Sequence, residues 1–278
     1  MDGISPGLRA RLLLNRQDFH TAHALGQNFL LDEALLSGLL DLSGVGPEDA
    51  VLEIGPGAGV MTCLLADRAR RVVAVELDRR LEPILREMLE GKENVRVVFA
   101  DALKADLGEI MGEPFRVVAN LPYYITADAV RKFLGSGYPI RSVHIMVQKE
   151  AAERMLARPG EKQWCLLAAL AQYYARVRLL AEVPPEAFEP QPHVMSAFLE
   201  LELYEQRPVR PREEQKFLRL LSAGFAMRRK TLANNLSASF GLSKEAAREA
   251  LLSAGLDARV RGEALTLEEF CRLSDSMD

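Results

Sequence analysis

Cysteine is scarce in this chain. The three residues, Cys63, Cys165 and Cys271, are far apart and form no C-x-x-C pair. That excludes a disulfide framework and offers no zinc pattern, so buried thiols in a reducing compartment are expected. Long apolar runs are also missing. The longest clear one, Cys165 to Ala171, is too short to cross a bilayer. The N-terminus carries Asp2 and lacks the apolar core of a signal peptide, so a cytoplasmic location is expected. There is no internal repeat and no low-complexity tract. Basic charge is not in excess either: 35 Lys and Arg stand against 39 Asp and Glu, a net charge of -4. Taken alone, that total argues mildly against a nucleic-acid partner. What remains is an ordinary globular composition, 49% hydrophobic and 27% charged over 278 residues, with room for two domains.

The hydrophobic pattern divides the chain. Residues 1–49 read as a helical lead-in. From Ala50 a strand-and-helix alternation begins, with strands expected at Ala50–Ile54, Arg71–Leu77, Val95–Ala100, Arg116–Ala119 and Ser142–Val147. Helices are expected at Val60–Arg68, Arg79–Leu89 and Lys149–Leu156. Two more strand-like runs, Ala175–Val183 and Ser196–Leu203, are joined by a proline-rich stretch rather than a helix, which suits an antiparallel pair. The expected fold is α/β, a doubly wound and mostly parallel sheet with one reversed strand. Gln206–Arg212, with two prolines and three arginines, reads as a linker. Beyond it Glu213–Phe225, Arg229–Phe240, Lys244–Ser253 and Leu267–Leu273 read as helices. The expected domains are therefore residues 1–205 and a small all-helical domain, 206–278.

Four motifs sit at the ends of expected strands. Glu53-Ile-Gly-Pro-Gly-Ala-Gly59 lies between a strand and a helix, where glycines let a ligand approach the backbone. Its G-x-G-x-G spacing differs from the dinucleotide fingerprint, and a tight turn is the plainer reading. Glu76 ends the next strand, 21 residues after Gly55, a position from which a carboxylate accepts hydrogen bonds from ribose hydroxyls. That pairing suits NAD and S-adenosylmethionine alike. Asp101-Ala102 follows the third strand, where an acid can accept from an adenine amine or simply cap a helix.

The fourth motif, Asn120-Leu-Pro-Tyr123, decides the class. An aromatic exocyclic amine is a poor nucleophile because its lone pair is delocalised into the ring. The Asn120 amide oxygen and the Leu121 carbonyl can accept its two hydrogens, drawing nitrogen toward sp³ geometry. Pro122 fixes the backbone and Tyr123 offers a ring on which the base can stack. A β-turn with a buried Asn is the plainer alternative.

These residues resemble the S-adenosylmethionine-dependent adenine-N6 methyltransferases. The resemblance narrows to the ribosomal RNA adenine dimethyltransferase family through Leu25-Gly-Gln-Asn-Phe-Leu30, Gln148-Lys-Glu150, Glu153-Arg154 and Pro159-Gly160. Pro185, Phe188, Pro190, Pro192, Val194, Ser196 and Ala197 match the family's proline-rich segment, and Arg229-Lys-Thr-Leu232 with Asn234-Asn-Leu236 its basic segment. It covers nearly the whole chain. It implies a Rossmann-like class I methyltransferase domain that dimethylates two adjacent adenosines near the 3′ end of 16S ribosomal RNA, within an immature small subunit and as a monomer. S-adenosyl-L-methionine would meet Gln27, Asn28, Leu30, Gly55, Gly57, Glu76, Leu77, Asp101, Ala102 and Asn120. The target adenine would meet Asn120, Leu121, Pro122 and Tyr123. RNA phosphates would meet Lys149, Arg228, Arg229 and Lys230, and no metal is implied. His193, Ala127 and Gln163–Leu167 depart from the family pattern and bear on substrate handling.

Other readings stay open. The large-subunit (23S) methyltransferases of macrolide resistance share the chemistry, an assembly checkpoint would make catalysis secondary, and a DNA adenine methyltransferase fits the tetrapeptide less well. His20 and His23 could serve RNA phosphate or metal, His144 reads as a core histidine and Trp164 as core rather than a base platform. The charge total also hides a partition. Residues 114–178 carry 10 basic and 4 acidic side chains, whereas 179–206 carry 6 acids and no Lys or Arg. Local field, not the total, steers a polyanion, so the acidic sum no longer counts against RNA.

Overall fold

The computed structural model describes residues 4–21 and 26–277. Nine strands are present among them: β1 (Phe29–Leu30), β2 (Ala50–Ile54), β3 (Arg71–Glu76), β4 (Val95–Phe99), β5 (Phe115–Asn120), β6 (Ile140–Gln148), β7 (Ala175–Val183), β8 (Phe188–Glu189) and β9 (Ser196–Leu203). Seven of them form one sheet in the order β4-β3-β2-β5-β6-β9-β7. β2 is buried at every residue, as β-branched and apolar runs covered on both faces require. The pairs β2–β3, β2–β5, β3–β4 and β5–β6 are parallel, and β9 runs antiparallel to β6 with His144 opposite Glu200. The mostly parallel sheet with a reversed strand is as the pattern implied.

The strand order reverses beside β2. From it the chain proceeds outward through β3 and β4, then returns to place β5 on the other side. Such a switch point leaves a crevice at the carboxyl ends of the strands, and all four motifs lie there. Helices bury apolar residues against the sheet. Glu33–Ser43, for example, is capped by the Asp32 side chain and buries Leu36, Leu39, Leu40 and Ser43 at helical spacing.

One feature of this layout is invisible to periodicity. β1 and β8 form a separate antiparallel pair, Phe29 opposite Glu189 and Leu30 opposite Phe188. Two residues are too few for a pattern, and their partner lies about 160 positions away, so only tertiary contact defines them.

The chain divides into two compact units, Met1–Ala152 with Val177–Leu203, and Glu153–Arg176 with Tyr204–Asp278. The second unit thus takes in a stretch that the sequence places with the first. The reason is the helix Leu166–Tyr174, which the pattern shows only as an apolar run. Tyr173 packs on Phe217 at 4.9 Å between ring centroids, and fully buried Trp164 meets Phe225 edge-on at 6.2 Å. The other helices of this unit are Glu214–Ala226, Leu232–Phe240, Lys244–Ser253 and Leu267–Ser276, the last opened by a Thr266–Glu269 capping box. The Gln206–Arg212 stretch is pinned, not loose: Arg207 lies 4.1 Å over the Tyr174 ring and pairs with Glu214 at 3.2 Å.

Candidate active site

The cleft at the carboxyl ends of β2, β3, β4 and β5 is lined by every residue assigned above to cofactor or target base, from Gln27, Asn28 and Leu30 through Gly55, Gly57, Glu76, Leu77, Asp101 and Ala102 to Asn120, Leu121, Pro122 and Tyr123. Leu25 and His23 lie outside the described residues.

The glycine loop is shaped by need. Gly57 has φ 56°, a left-handed conformation that a side chain resists, and a Cβ there would stand 2.9 Å from the Phe29 ring. Glycine therefore lets β1 close over the loop. The Gly57 N–H donates to Glu76 Oε2 at 3.2 Å, and the Asp78 N–H donates to Glu76 Oε1 at 2.8 Å. Each carboxylate oxygen keeps a lone pair for a further donor. Burial raises the Glu76 carboxyl above its ordinary value. Asp78 is held in turn by Arg80 and by the Gln27 amide, which donates to it at 2.8 Å. The Arg80 guanidinium, ahead of the opposing cost of burial, keeps Asp78 below the usual carboxylate range.

On the far side, Asn120 ends β5, and its Nδ2 donates to the Asn28 carbonyl oxygen at 3.2 Å. With the nitrogen engaged, Oδ1 is left as the acceptor. The Tyr123 hydroxyl shares a 3.1 Å hydrogen bond with Ser196 Oγ. Asp101 closes a turn by accepting the Leu103 N–H at 2.9 Å and pairs with Lys104 at 3.2 Å, so it caps a turn rather than a helix. Lys132 braces that turn from below through the Leu103 and Ala105 carbonyls.

Two residues here were given no role by the sequence. Glu53 is fully buried in β2 and lines the cleft, and neither carboxylate oxygen meets a well-aligned donor among the described residues. Burial raises its pKa to about 8, opposed by the Thr62 hydroxyl and helped to a lesser degree by the neighbouring Glu76 charge. An acid inside an otherwise apolar strand was the signal. Tyr124, directly after the tetrapeptide, lies at the rim with 58% of its surface exposed.

The basic residues behave differently from their sequence neighbourhood. Arg228 pairs with Glu263 at 3.2 Å and donates to the Lys162 carbonyl, although no acid lies near it in sequence. Lys149 pairs with Glu182 at 2.8 Å. Arg116 and Arg178 are likewise paired, with Asp49 and Glu200. Arg229 and Lys230 are exposed. His144 is buried, its Nε2 3.4 Å from a Glu200 carboxylate oxygen. No three potential metal ligands cluster among the described residues, and no helix there is long and apolar enough to cross a membrane.

The family model described as ribosomal RNA adenine dimethylase matches residues 19–278, which takes in the cleft and reaches through both compact units. The chain belongs to this family. It is similar to the ribosomal RNA small subunit methyltransferase A of Alkaliphilus metalliredigens, at 41% identity over 99% of this chain and 98% of that one. Its similarity to the protein of the same name from Lachnoclostridium phytofermentans is 43%, over 96% and 94%. Among solved structures, the fold is that of a dimethyladenosine transferase from Plasmodium falciparum, with a TM-score of 0.74 at 24% identity over 86% of this chain and 94% of that one. The 23S rRNA methyltransferase ErmE aligns with a TM-score of 0.68 at 28% identity, over 90% and 99%. The chain therefore has the Rossmann-like class I methyltransferase fold that its family resemblance implied.

Proposed function

We propose that the protein dimethylates the N6 amines of two adjacent adenosines near the 3′ end of 16S ribosomal RNA, acting as a monomer on an immature small subunit in the cytoplasm. The observation that carries this reading is the orientation of Asn120, whose amide nitrogen is occupied and whose oxygen remains to accept from an amine.

The cleft suits S-adenosylmethionine, a cation with two ribose hydroxyls. Glu76 offers acceptors for the hydroxyls, and Leu77, Ala102 and Leu103 offer apolar surface to the adenine. When bound, it supplies a methyl group already activated by the sulfonium. No side chain then has to remove a proton before the N–C bond forms.

Asn120 Oδ1 and the Leu121 carbonyl accept the two hydrogens of the target amine and aim its lone pair. Bound there, the cofactor would supply the methyl group and keep the sulfur electron pair as a thioether, and the amine proton would pass to solvent. Catalysis is then mainly orientation and electrostatics. The adenine must leave its stack to reach the pocket, and Tyr123 receives its face. For the second transfer one amine hydrogen remains, and the pocket must admit the first methyl. Arg229 and Lys230, exposed on the helical unit, support phosphate contact there.

Similarity to small-subunit enzymes at 41% and 43% identity favours that substrate over the large subunit. The test is a methyl-transfer assay on immature small subunits, naked RNA and large subunits in parallel, with the modified nucleotides mapped by mass spectrometry. Dimethylated adenosine pairs in the small subunit are expected; methylation confined to the large subunit would overturn the reading.

A further inference from the structure

Ser196 opens β9 immediately after the proline-rich stretch, and its side chain is completely buried. A buried hydroxyl without a partner is costly, and only one hydrogen bond of this one is found among the described residues, the 3.1 Å bond to the Tyr123 hydroxyl. The two residues come from different parts of the sheet. Tyr123 follows β5, whereas Ser196 lies two strands away, opposite Gln148 of β6. Its backbone is held firmly: Ala197 pairs with Val147, and the preceding Met195 carbonyl accepts the Lys149 N–H at 3.0 Å.

Tyr123 itself is only half-buried, in a single 3₁₀ turn, Tyr123–Ile125, that connects β5 to the next helix. A phenol ring anchored at its Cα alone can swing about two torsions. Tying its far end to a rigid strand removes that freedom and fixes the plane of the ring. Whatever stacks on the ring inherits that plane, and the amine of a stacked base must meet Asn120, three residues earlier.

We infer that Ser196 is a positioning residue for the target base, acting through the Tyr123 hydroxyl: it holds the ring in the plane that delivers the adenine amine to Asn120. The inference rests on the proposed methyl transfer. The second transfer is the more sensitive to it, because a methylated amine has one hydrogen fewer to hold it and needs the same plane with less tolerance.

The test compares wild type, Ser196→Ala, Tyr123→Phe and the double variant, with enzyme in excess over small subunits lacking the mark. Each single variant is expected to slow transfer on the order of fivefold, the size of one net hydrogen bond. The fraction of monomethylated product should rise, and cofactor affinity by calorimetry should stay unchanged. The double variant should be no slower than either single one, because both remove the same bond. Tyr123→Phe keeps the inference testable if Ser196→Ala fails to fold, since it breaks the bond at the accessible ring. Wild-type rates and product ratios in Tyr123→Phe, or losses that multiply in the double variant, would overturn the inference. Absence of transfer by the wild-type enzyme would instead overturn the function on which it rests.

Discussion

The side chain of Asn120 donates a 3.2 Å hydrogen bond to the main-chain oxygen of Asn28, 92 positions earlier in the chain. The bond joins the end of β5 to the segment leading into β1. It also decides which end of the amide is free. A backbone acceptor at residue 28 is independent of side-chain identity there, so the orientation of Asn120 depends on the path of the N-terminal segment rather than on the Asn28 amide.

Glu76 is the main acceptor on the opposite wall. Replacing it by Ala removes the proposed ribose acceptor and strips the Gly57 and Asp78 N–H groups of their partner. Cofactor affinity is expected to fall about 10- to 100-fold, as for hydrogen bonds to a charged group. Calorimetry showing an unchanged dissociation constant would contradict the ribose role.

Glu53 makes stability depend on pH. Its carboxyl moves from an ordinary value of 4.5 to about 8 in the folded protein. Between those values the folded state holds a proton that the unfolded state releases. Stability therefore falls as pH rises through that window. Glu76 is shifted in the same direction. Chemical denaturation from pH 5 to pH 8 should show a flatter slope in Glu53→Gln than in wild type; equal slopes would refute the assignment.

Gly57 should not tolerate a side chain. In Gly57→Ala a positive φ and a 2.9 Å approach to Phe29 act together. A stability loss of about 1–2 kcal/mol is expected from the backbone alone, with weaker cofactor binding because β1 is pushed from the loop. Combining it with Phe29→Leu should recover part of the affinity, by relieving the clash and not the backbone. Thermal unfolding and calorimetry on the two variants separate these contributions.

Charge reversal at Arg229 and Lys230 should weaken RNA binding and flatten its dependence on salt, by about one unit of slope for each phosphate that is no longer neutralised. Arg228→Ala should do less to the slope, because that guanidinium is engaged by Glu263. Binding titrations at several salt concentrations distinguish the two.

Much of this was legible in the sequence because it is local. β2 to β5 are short apolar runs, and the residues that line the cleft sit where those runs end, so strand ends and motifs point to one place. Boundaries moved by one to three residues; the strand at Ser142–Val147 extends to Ile140–Gln148, and the helix expected from Arg229 begins at Leu232, which leaves Arg229 and Lys230 outside it. What was not legible depends on distance in sequence. The β1–β8 pair joins residues 29–30 to 188–189. The helix Leu166–Tyr174 showed its apolar character but not the Phe217 ring that draws it into the second unit. Counting charges along the chain likewise gives no sign of the ion pairs that Arg228 and Lys149 make, since Glu263 and Glu182 reach them only in space. Glu53 stood in plain view, but only its surroundings reveal how completely it is buried.

The most direct test of Asn120 as the acceptor for the target amine is single-turnover methyl transfer by Asn120→Ala on small subunits lacking the mark, with cofactor affinity measured on the same preparation. A loss of about 100-fold or more in rate is expected, the scale of removing a preorganised polar group beside the reacting atoms, with the dissociation constant largely unchanged. Transfer at close to the wild-type rate would contradict it.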